Sequence, residues 1–511
     1  MKIAGRIKQG YYFDSVTLMR IGRELSGQPG VAEASVVMAT QANKSILDMS
    51  GLLLAEFQKA GDQDLLIAVK AKDAQAAERA LAHAEDLLSN RSKPQTKDNA
   101  APRPRSLSAA VEALPGANLA MISVAGQYAA REARKALEKG LNVMLFSDNV
   151  SLEDELALKK EAHKKGLLVM GPDCGTAILN GIPLAFANVV PRGPIGVVGA
   201  SGTGLQEVTC IIANEGSGIT QAIGTGGRDV KDAIGGISFL DALQALADCP
   251  DTKVILLVSK PPQPKVLKKI YTQIRKTEKP VVALFIGEGG MPATLEQAAM
   301  LAVAHAKGLD PASVQERLAR RDEILQAEAE AIVAKRRKPK GRYLRGLFSG
   351  GTFCAESQII LDGTLRHIYS NAPTGDTRPL RDSFKFIRNT LVDLGEDEFT
   401  VGRAHPMIDY SLRNKMILEQ AADPDVSVLL LDVVLGHGAN LDPAGELVPV
   451  IKKAARQVFV VVGVTGTTGD PQNRAQVVEA LREAGAHVQL ANAPATKLAG
   501  CIAAQVARLN R

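Results

Sequence analysis

Tryptophan is absent from the 511 residues, and aromatics reach only 4%. Sites that stack nucleobases or sugar rings need such faces, so a single-stranded nucleic-acid binder and a lectin-like site are both argued against. Cysteine is scarce as well. Cys174, Cys210, Cys249, Cys354 and Cys501 lie far apart, so no Cys-x-x-Cys zinc or redox motif exists, and the odd count fits a reduced, cytoplasmic setting. Long apolar runs are missing too. The stretch 426–435 is interrupted by Asp432, too short to span a bilayer, and Lys2, Arg6, Lys8 and Asp14 break up the first residues, so neither a membrane segment nor a leader is expected.

What the chain has in quantity is aliphatic residues and 46 glycines, with 46% hydrophobic and 23% charged residues overall. That mixture suits Val/Ile/Leu-rich parallel strands joined by tight loops, and the length suggests roughly three to four domains. The net charge of +6 is unevenly placed: residues 335–342 carry six basic groups, and 90–106 carry five with one acid. These two stretches hold +10, which leaves −4 on the rest, so the folded bodies are slightly acidic and no nucleic-acid partner is expected.

The same stretches mark an organisation. Residues 1–89 read as a small α/β module and 90–106 as a Pro/Lys/Asn/Ser-rich linker. Residues 107–192 follow as a Rossmann-like βαβαβ unit with short spacing, in which Ser151 and Asp154 make a capping-box start for a long helix. Residues 193–334 and 343–511, separated by the basic linker 335–342, read as two flavodoxin-like parallel-sheet domains. These two resemble copies of one design. Cys249-Pro-Asp-Thr-Lys-Val-Ile-Leu-Leu aligns with Asp423-Pro-Asp-Val-Ser-Val-Leu-Leu-Leu, and each copy has an upstream strand running into a small-residue turn.

Those turns, Ser201-Gly202-Thr203-Gly204 and Ser349-Gly350-Gly351-Thr352, carry the strongest chemical signal. Glycines beyond a parallel strand let backbone N–H groups approach an anion, and the following helix N-terminus adds partial positive charge. Both turns also suit ordinary N-cap usage. Neither has a Walker A lysine or a GxGxxG fingerprint, so a P-loop nucleotide site and a dinucleotide site are not expected. Other candidate ligand loops are Gly226-Gly227-Arg228-Asp229, whose Arg228 suits bidentate carboxylate or phosphate binding, and the loop containing Asp173 and Cys174. Asp173 and Asp229 also suit helix capping. Arg403, His405 and Asp409 share a loop in the last domain, where His405 is a candidate general acid with Arg403 beside it. No metal-ligand spacing is present, although Asp432 is a candidate for holding Mg²⁺ through water.

The segments VAGQYAA from 124, FSDNVSLEDE from 146, GLLVMGPDCGT from 166, GASGTGLQE from 199, GGRD from 226, LVSKPP from 257, GRAHPMID from 402 and LLLDVVLGHGANLDPA from 429 resemble the FdrA family along nearly the whole chain. The resemblance implies a fold like the α-type subunit of succinyl-CoA synthetase and related NDP-forming acyl-CoA ligases, with a CoA-binding-like Rossmann domain over 107–192 and ligase-like flavodoxin domains after it. It also implies a subunit of an oxamate carbamoyltransferase in anaerobic allantoin breakdown, converting oxalurate and phosphate to oxamate and carbamoyl phosphate with companion subunits. The decisive departure from the ligases is at 286–293, where they carry a phosphorylated histidine and this chain has none. A second departure puts Ser259-Lys260-Pro-Pro where an acidic loop is expected, which adds Lys260 to the candidate ligand-binding residues. An acyl-CoA ligase subunit and a non-catalytic scaffold of the same fold are the alternatives. No cofactor is required by the residues; CoA, a nucleotide or Mg²⁺ enter only through the resemblance. The expected partners are a small anionic substrate, phosphate and companion subunits.

Overall fold

The computed structural model describes all residues except 12, 14, 93–103, 105, 337–338, 401–403 and 511. Most of the expected linker 90–106 and part of 335–342 therefore lie outside the described residues, as does Arg403. Two compact units emerge, one of Met1–Ala117 with Asp397–Ala404 and one of Asn118–Glu396 with His405–Arg511.

In the first unit, β1 (Lys2–Lys8), α1 (Ser15–Ser26), β2 (Val31–Met38), α2 (Gln41–Met49), β3 (Leu65–Ala71) and α3 (Ala74–Ser92) follow in order, then α4 (Leu107–Ala113). The antiparallel sheet runs β1-β3-β2. Alternate residues of the central strand point to opposite faces. Leu65, Ile67 and Val69 pack under α1 and α3, while Leu66 and Ala68 pack with Leu47 and Phe57. A strand buried on both faces explains why β3 reads as a continuous apolar run. The module's last helix extends three residues beyond the expected boundary at 89.

The second unit opens with β4 (Leu119–Ile122), α5 (Gly126–Glu138), β5 (Asn142–Leu145), α6 (Leu152–Lys164) and β6 (Val169–Met170), a three-stranded parallel sheet ordered β4-β5-β6. Ser151 caps α6 as its sequence foretells: Oγ accepts from the Asp154 amide at 3.1 Å and donates to the Asp154 carboxylate at 2.9 Å.

The next segment departs from the expected boundary at 192. β7 (Thr176–Leu179) and β8 (Ile182–Ala185) form a hairpin that joins the following sheet, pairing with β10 below. Its turn is Asn180-Gly181, both at positive φ, the dipeptide that two-residue hairpins favour. That sheet continues with β9 (Arg192–Ala200), α7 (Gly202–Asn214), β10 (Ile219–Gly224), α8 (Ile237–Asp248), β11 (Val254–Ser259), α9 (Pro264–Ile274), β12 (Val281–Phe285), α10 (Leu295–Lys307) and α11 (Ala312–Lys335). Its order is β12-β11-β9-β10-β7-β8.

The last domain contains β13 (Tyr343–Phe348), α12 (Gly351–Asp362), β14 (Ile368–Ser370), β15 (Arg378–Pro379), β16 (Asn389–Asp393), then, after the short α13 (Asp397–Thr400) that belongs to the first unit, α14 (Ser411–Ala422), β17 (Val426–Val434), α15 (Pro443–Ala454), β18 (Phe459–Thr465), α16 (Arg474–Glu483), β19 (Ala486–Gln489) and α17 (Asn492–Leu509). Its sheet runs β15-β14-β16-β13-β17-β18-β19, all parallel. The ladder β9-β11-β12 matches β13-β17-β18, which agrees with the two-copy reading.

Helices α7, α10, α12 and α17 pack together, and their apolar residues join both sheets into one core. Two carboxylates cross this layer at equivalent positions, the sixth residues of α7 and α12. Glu207 Oε1 accepts from the Asn492 amide at the start of α17 at 2.6 Å, and Thr465 donates to its other oxygen. Glu356 Oε1 accepts from the Leu295 amide at the start of α10 at 2.7 Å, and Asn492 Nδ2 donates to Oε2 at 2.7 Å. Each copy thus caps a helix of the other, satisfying amides that have no partner within their own helix.

Candidate active site

Strand β9 ends at Ala200, and Ser201 turns the chain into α7. Its Oγ accepts from the Gly204 amide at 3.1 Å, which makes it the N-cap. A side chain on Gly204 would collide with that hydroxyl. Gly202 is exposed and Ser201 and Thr203 half-buried, so this helix end is open to solvent at Gly202. One further polar atom points here. Thr176 is 2% exposed, its Oγ1 has no hydrogen-bond partner, and it lies 3.6 Å from the position a Cβ on Gly202 would take. A buried hydroxyl without a partner costs about 1–3 kcal/mol, a cost that a bound anion at this helix end relieves.

The matching turn before α12 is built differently. Asp432 accepts from the Ser349 and Gly350 amides at 2.8 Å each and from Ser349 Oγ at 2.9 Å. Arg413 balances that charge with a 2.9 Å ion pair and stands over the Tyr410 ring, its guanidinium carbon 4.2 Å from the centroid. Asp432 therefore occupies the donors that the sequence assigned to a ligand, which corrects the expected role of Ser349 and Gly350. The same bonds use both carboxylate oxygens, so Asp432 does not fit the Mg²⁺ role either. At the next position, a Cβ on Gly351 would run into Asp393 Oδ2, so this helix end already faces a carboxylate of the chain itself.

The two turns nevertheless meet. Ser201 Oγ and Thr352 Oγ1 share a 2.5 Å hydrogen bond, and the Thr203 side chain packs against Gly350. Around the junction, Asp393 ends β16 and accepts from the Gly395 amide at 2.9 Å. Burial pushes its carboxyl up to about 6, and Lys260, at the end of β11, opposes that shift. His405 Nε2 and Asp393 Oδ1 each lie 3.1 Å from the position of a Cβ on Gly395, so both crowd one point. The His405 ring stands against Phe186, centroids 6.1 Å apart, and burial lowers its pKa to about 4. Nδ1 accepts from the Met407 amide at 3.2 Å, which leaves the proton of the neutral ring on Nε2. Neutral at ordinary pH, His405 is a hydrogen-bond donor and lacks the imidazolium form that its expected general-acid role needs.

Structure thus brings together Ser201, Gly202, Thr203, Gly204, Thr352, Lys260 and His405, and adds Thr176 and Asp393. The other candidates sit elsewhere or are engaged. Arg228 is 3.0 Å from Glu155 and donates to the Val150 carbonyl at 2.8 Å, so its fork is directed at α6 rather than at a ligand. Gly226 and Gly227 belong to that loop, where a side chain on Gly226 would strike the Pro172 carbonyl. Cys174 is buried, its thiol pushed up to about 12 by desolvation and donating to the Gly224 carbonyl at 3.4 Å, so it has no thiolate character. Asp173 is exposed, with φ 55. Among the described residues no group of His, Cys, Asp and Glu has the arrangement of a metal site.

Comparison with known proteins follows these divisions. The CoA-binding domain family matches residues 192–287 and the CoA-ligase family 347–502. The first match falls on the six-stranded-sheet domain, not on residues 107–192 where sequence reading placed CoA-binding character. Residues 1–104 match a family described as AllF, heavy metal-associated domain. No cysteine precedes Cys174, so this module has no thiolate with which to hold a metal. A protein of Escherichia coli, uncharacterized YahF, is 42% identical over 489 residues, 94% of either chain. The malate–CoA ligase subunit alpha of Methylorubrum extorquens is 28% identical over 35% of this chain and 61% of its own length. The ADP-forming sulfoacetate-CoA ligase subunit SauD of Bilophila wadsworthia is 28% identical over 28% of this chain and 50% of its own. The chain therefore spans between half and about three fifths of these two ligase subunits. A solved acetyl-coenzyme A synthetase 1 from Ca. Korarchaeum cryptofilum, in complex with phosphate and ADP, aligns over 78% of this chain and 86% of its own at 17% identity and TM-score 0.30. No helix among the described residues is long and apolar enough to cross a membrane.

Proposed function

We propose that this chain, which belongs to the family of Escherichia coli YahF and is built on the acyl-CoA ligase-like fold, binds a phosphate group at the α7 turn and uses it in acyl or carbamoyl transfer. The observation that carries this reading is the α7 helix end, with its exposed Gly202 and the unpartnered Thr176 hydroxyl beside it. Ser201, Gly202 and Thr203 hold the anion; Thr352 closes the site from the opposite turn; Lys260 supplies positive charge. Fixed donors of this kind act on charge that develops in the transition state and need no rearrangement during reaction.

Because 286–293 lacks histidine, phosphate itself is the group that attacks a carbonyl carbon in this reading, without a phosphorylated protein intermediate. The FdrA-like segments extend it to a specific substrate. Oxalurate is split by phosphate to oxamate and carbamoyl phosphate, by a complex to which this chain contributes one subunit. An NDP-forming acyl-CoA ligase subunit is the second reading, favoured by the CoA-binding and CoA-ligase matches. The chain is to be purified with its companion subunits and supplied with oxalurate and phosphate. Carbamoyl phosphate appearing only with both supports the first reading. CoA-dependent nucleotide turnover with a short dicarboxylic acid, without carbamoyl phosphate, transfers the conclusion to the second.

A further inference from the structure

The two small-residue turns look equivalent in sequence, yet the structure gives them opposite electrostatic characters. At α7 the glycine after the cap faces an unpartnered hydroxyl, Thr176. At α12 the corresponding glycine, Gly351, faces a carboxylate, Asp393. The hydroxyls of Ser201 and Thr352 join the turns across 2.5 Å, so an anion seated on α7 has Asp393 as its neighbour across the junction. A permanent negative charge beside an anion site opposes binding, whereas a carboxyl that exchanges a proton with the bound group assists reaction.

We propose that Asp393 is the catalytic acid–base residue of this site, acting on a phosphate held by the α7 turn; the assignment rests on the functional reading above. Phosphate oxygen forms a bond to the carbonyl carbon of an N-carbamoyl amide while Asp393 takes the phosphate proton. The bond from that carbon to the leaving amide nitrogen then breaks, and Asp393 returns the proton to the nitrogen. Proton count and oxidation state are unchanged over the cycle.

The groups facing Asp393 fit this task. Lys260 favours its ionised form, whereas Glu396 and Asp432 oppose it, and burial opposes it most, so the carboxyl titrates near 6. His405, uncharged with its proton on Nε2, crowds the same point as the carboxylate without competing for the proton. Cys354 lies within its field and stays a thiol, buried and driven up by desolvation. Gly351 and Gly395 both keep open the space that the carboxylate occupies.

Sulfate, which does not titrate in this range, serves as the probe for calorimetry on the full chain between about pH 5 and pH 8. Sulfate affinity of the parent is expected to fall about ten-fold across that window as Asp393 ionises, and Asp393→Asn is expected to remove most of the fall. Glu207 and Glu356 are shared by both proteins, so the difference between the two profiles isolates Asp393. Gly202→Val, folded by circular dichroism, should bind no sulfate, which locates the anion. With companion subunits, Asp393→Asn should lower kcat by about 100-fold or more while sulfate still binds. Identical profiles in parent and Asp393→Asn overturn the assignment to Asp393 while leaving the α7 anion site standing. Absence of sulfate binding in the parent at every pH overturns the anion site, and the Asp393 assignment with it. Sulfate binding without any turnover by the parent complex rejects the functional reading alone, and the two sulfate profiles still judge Asp393.

Discussion

Lys159 is a fully buried charge of the second unit. Its ammonium reaches Glu155 at 2.9 Å, Asp229 at 2.8 Å and the Thr225 carbonyl at 3.0 Å, with no exposed surface on any of the three charged side chains. Replacing it by methionine leaves two carboxylates buried without their shared cation, so Lys159→Met is expected to cost about 3–5 kcal/mol in urea unfolding. Arg228 reaches the same cluster from its edge and is more than a third exposed. Arg228→Lys should therefore lose about 1 kcal/mol at most and leave sulfate affinity unchanged, read by thermal melting and calorimetry side by side. The sequence singles out Arg228 because a glycine-flanked arginine suits an anion, but the acid that claims it, Glu155, lies on a helix of another sheet. The reverse holds for Asp393. Nothing in the run Asn389–Asp393 separates a reacting carboxylate from a strand end, because the turn it faces begins about forty residues earlier and meets it only through the pairing of β13 with β16. Ser201 to Gly204 are readable because strand, cap and glycines are contiguous, and Ser349 to Thr352 share that pattern. Their difference comes from Asp432, one strand away.

Helices α7 and α12 carry an acid–base consequence of their own. Glu207 and Glu356 are pushed up by burial to about 8 and about 7, more than the donors at Asn492, Thr465 and Leu295 pull them down. Glu296 raises both further and Glu356 raises Glu207, while Lys497 pulls down Glu356. With folded values above the unfolded ones, the native state binds more protons than the unfolded chain between them, so stability falls as pH rises through this window. The double variant Glu207→Gln, Glu356→Gln should flatten the fall. Melting temperatures at pH 6 and 8, compared between parent and variant, check it; equal slopes would count against these two groups. At the scale of elements the sequence reads well where local signals decide. Ser151 caps α6, and both copies place their strands in matching order. The hairpin β7–β8 is misassigned because its Asn180-Gly181 turn shows that two strands pair but leaves open which sheet receives them.

Across residues 118–511 the two larger sheets complete each other, since each supplies the acceptor for a helix start in the other. Fragments ending before, or beginning after, residues 337–338 should consequently be poorly soluble when made singly and should co-purify when made together; soluble yield and affinity pull-down measure this. Full solubility of either fragment alone would show that the shared helix layer is dispensable. Synthesis at a ribosome gives that reciprocity a direction in time. Leu295 is made 61 residues before Glu356, and Glu207 is made 285 residues before Asn492. At roughly 5–20 residues per second, the second interval lasts on the order of 15 to 60 s. For that time Glu207 has no Asn492 amide to accept from, and α7 presents to the cell the face that α12 and α17 later cover. The interval leaves that face of the nascent first copy uncovered until α17 arrives.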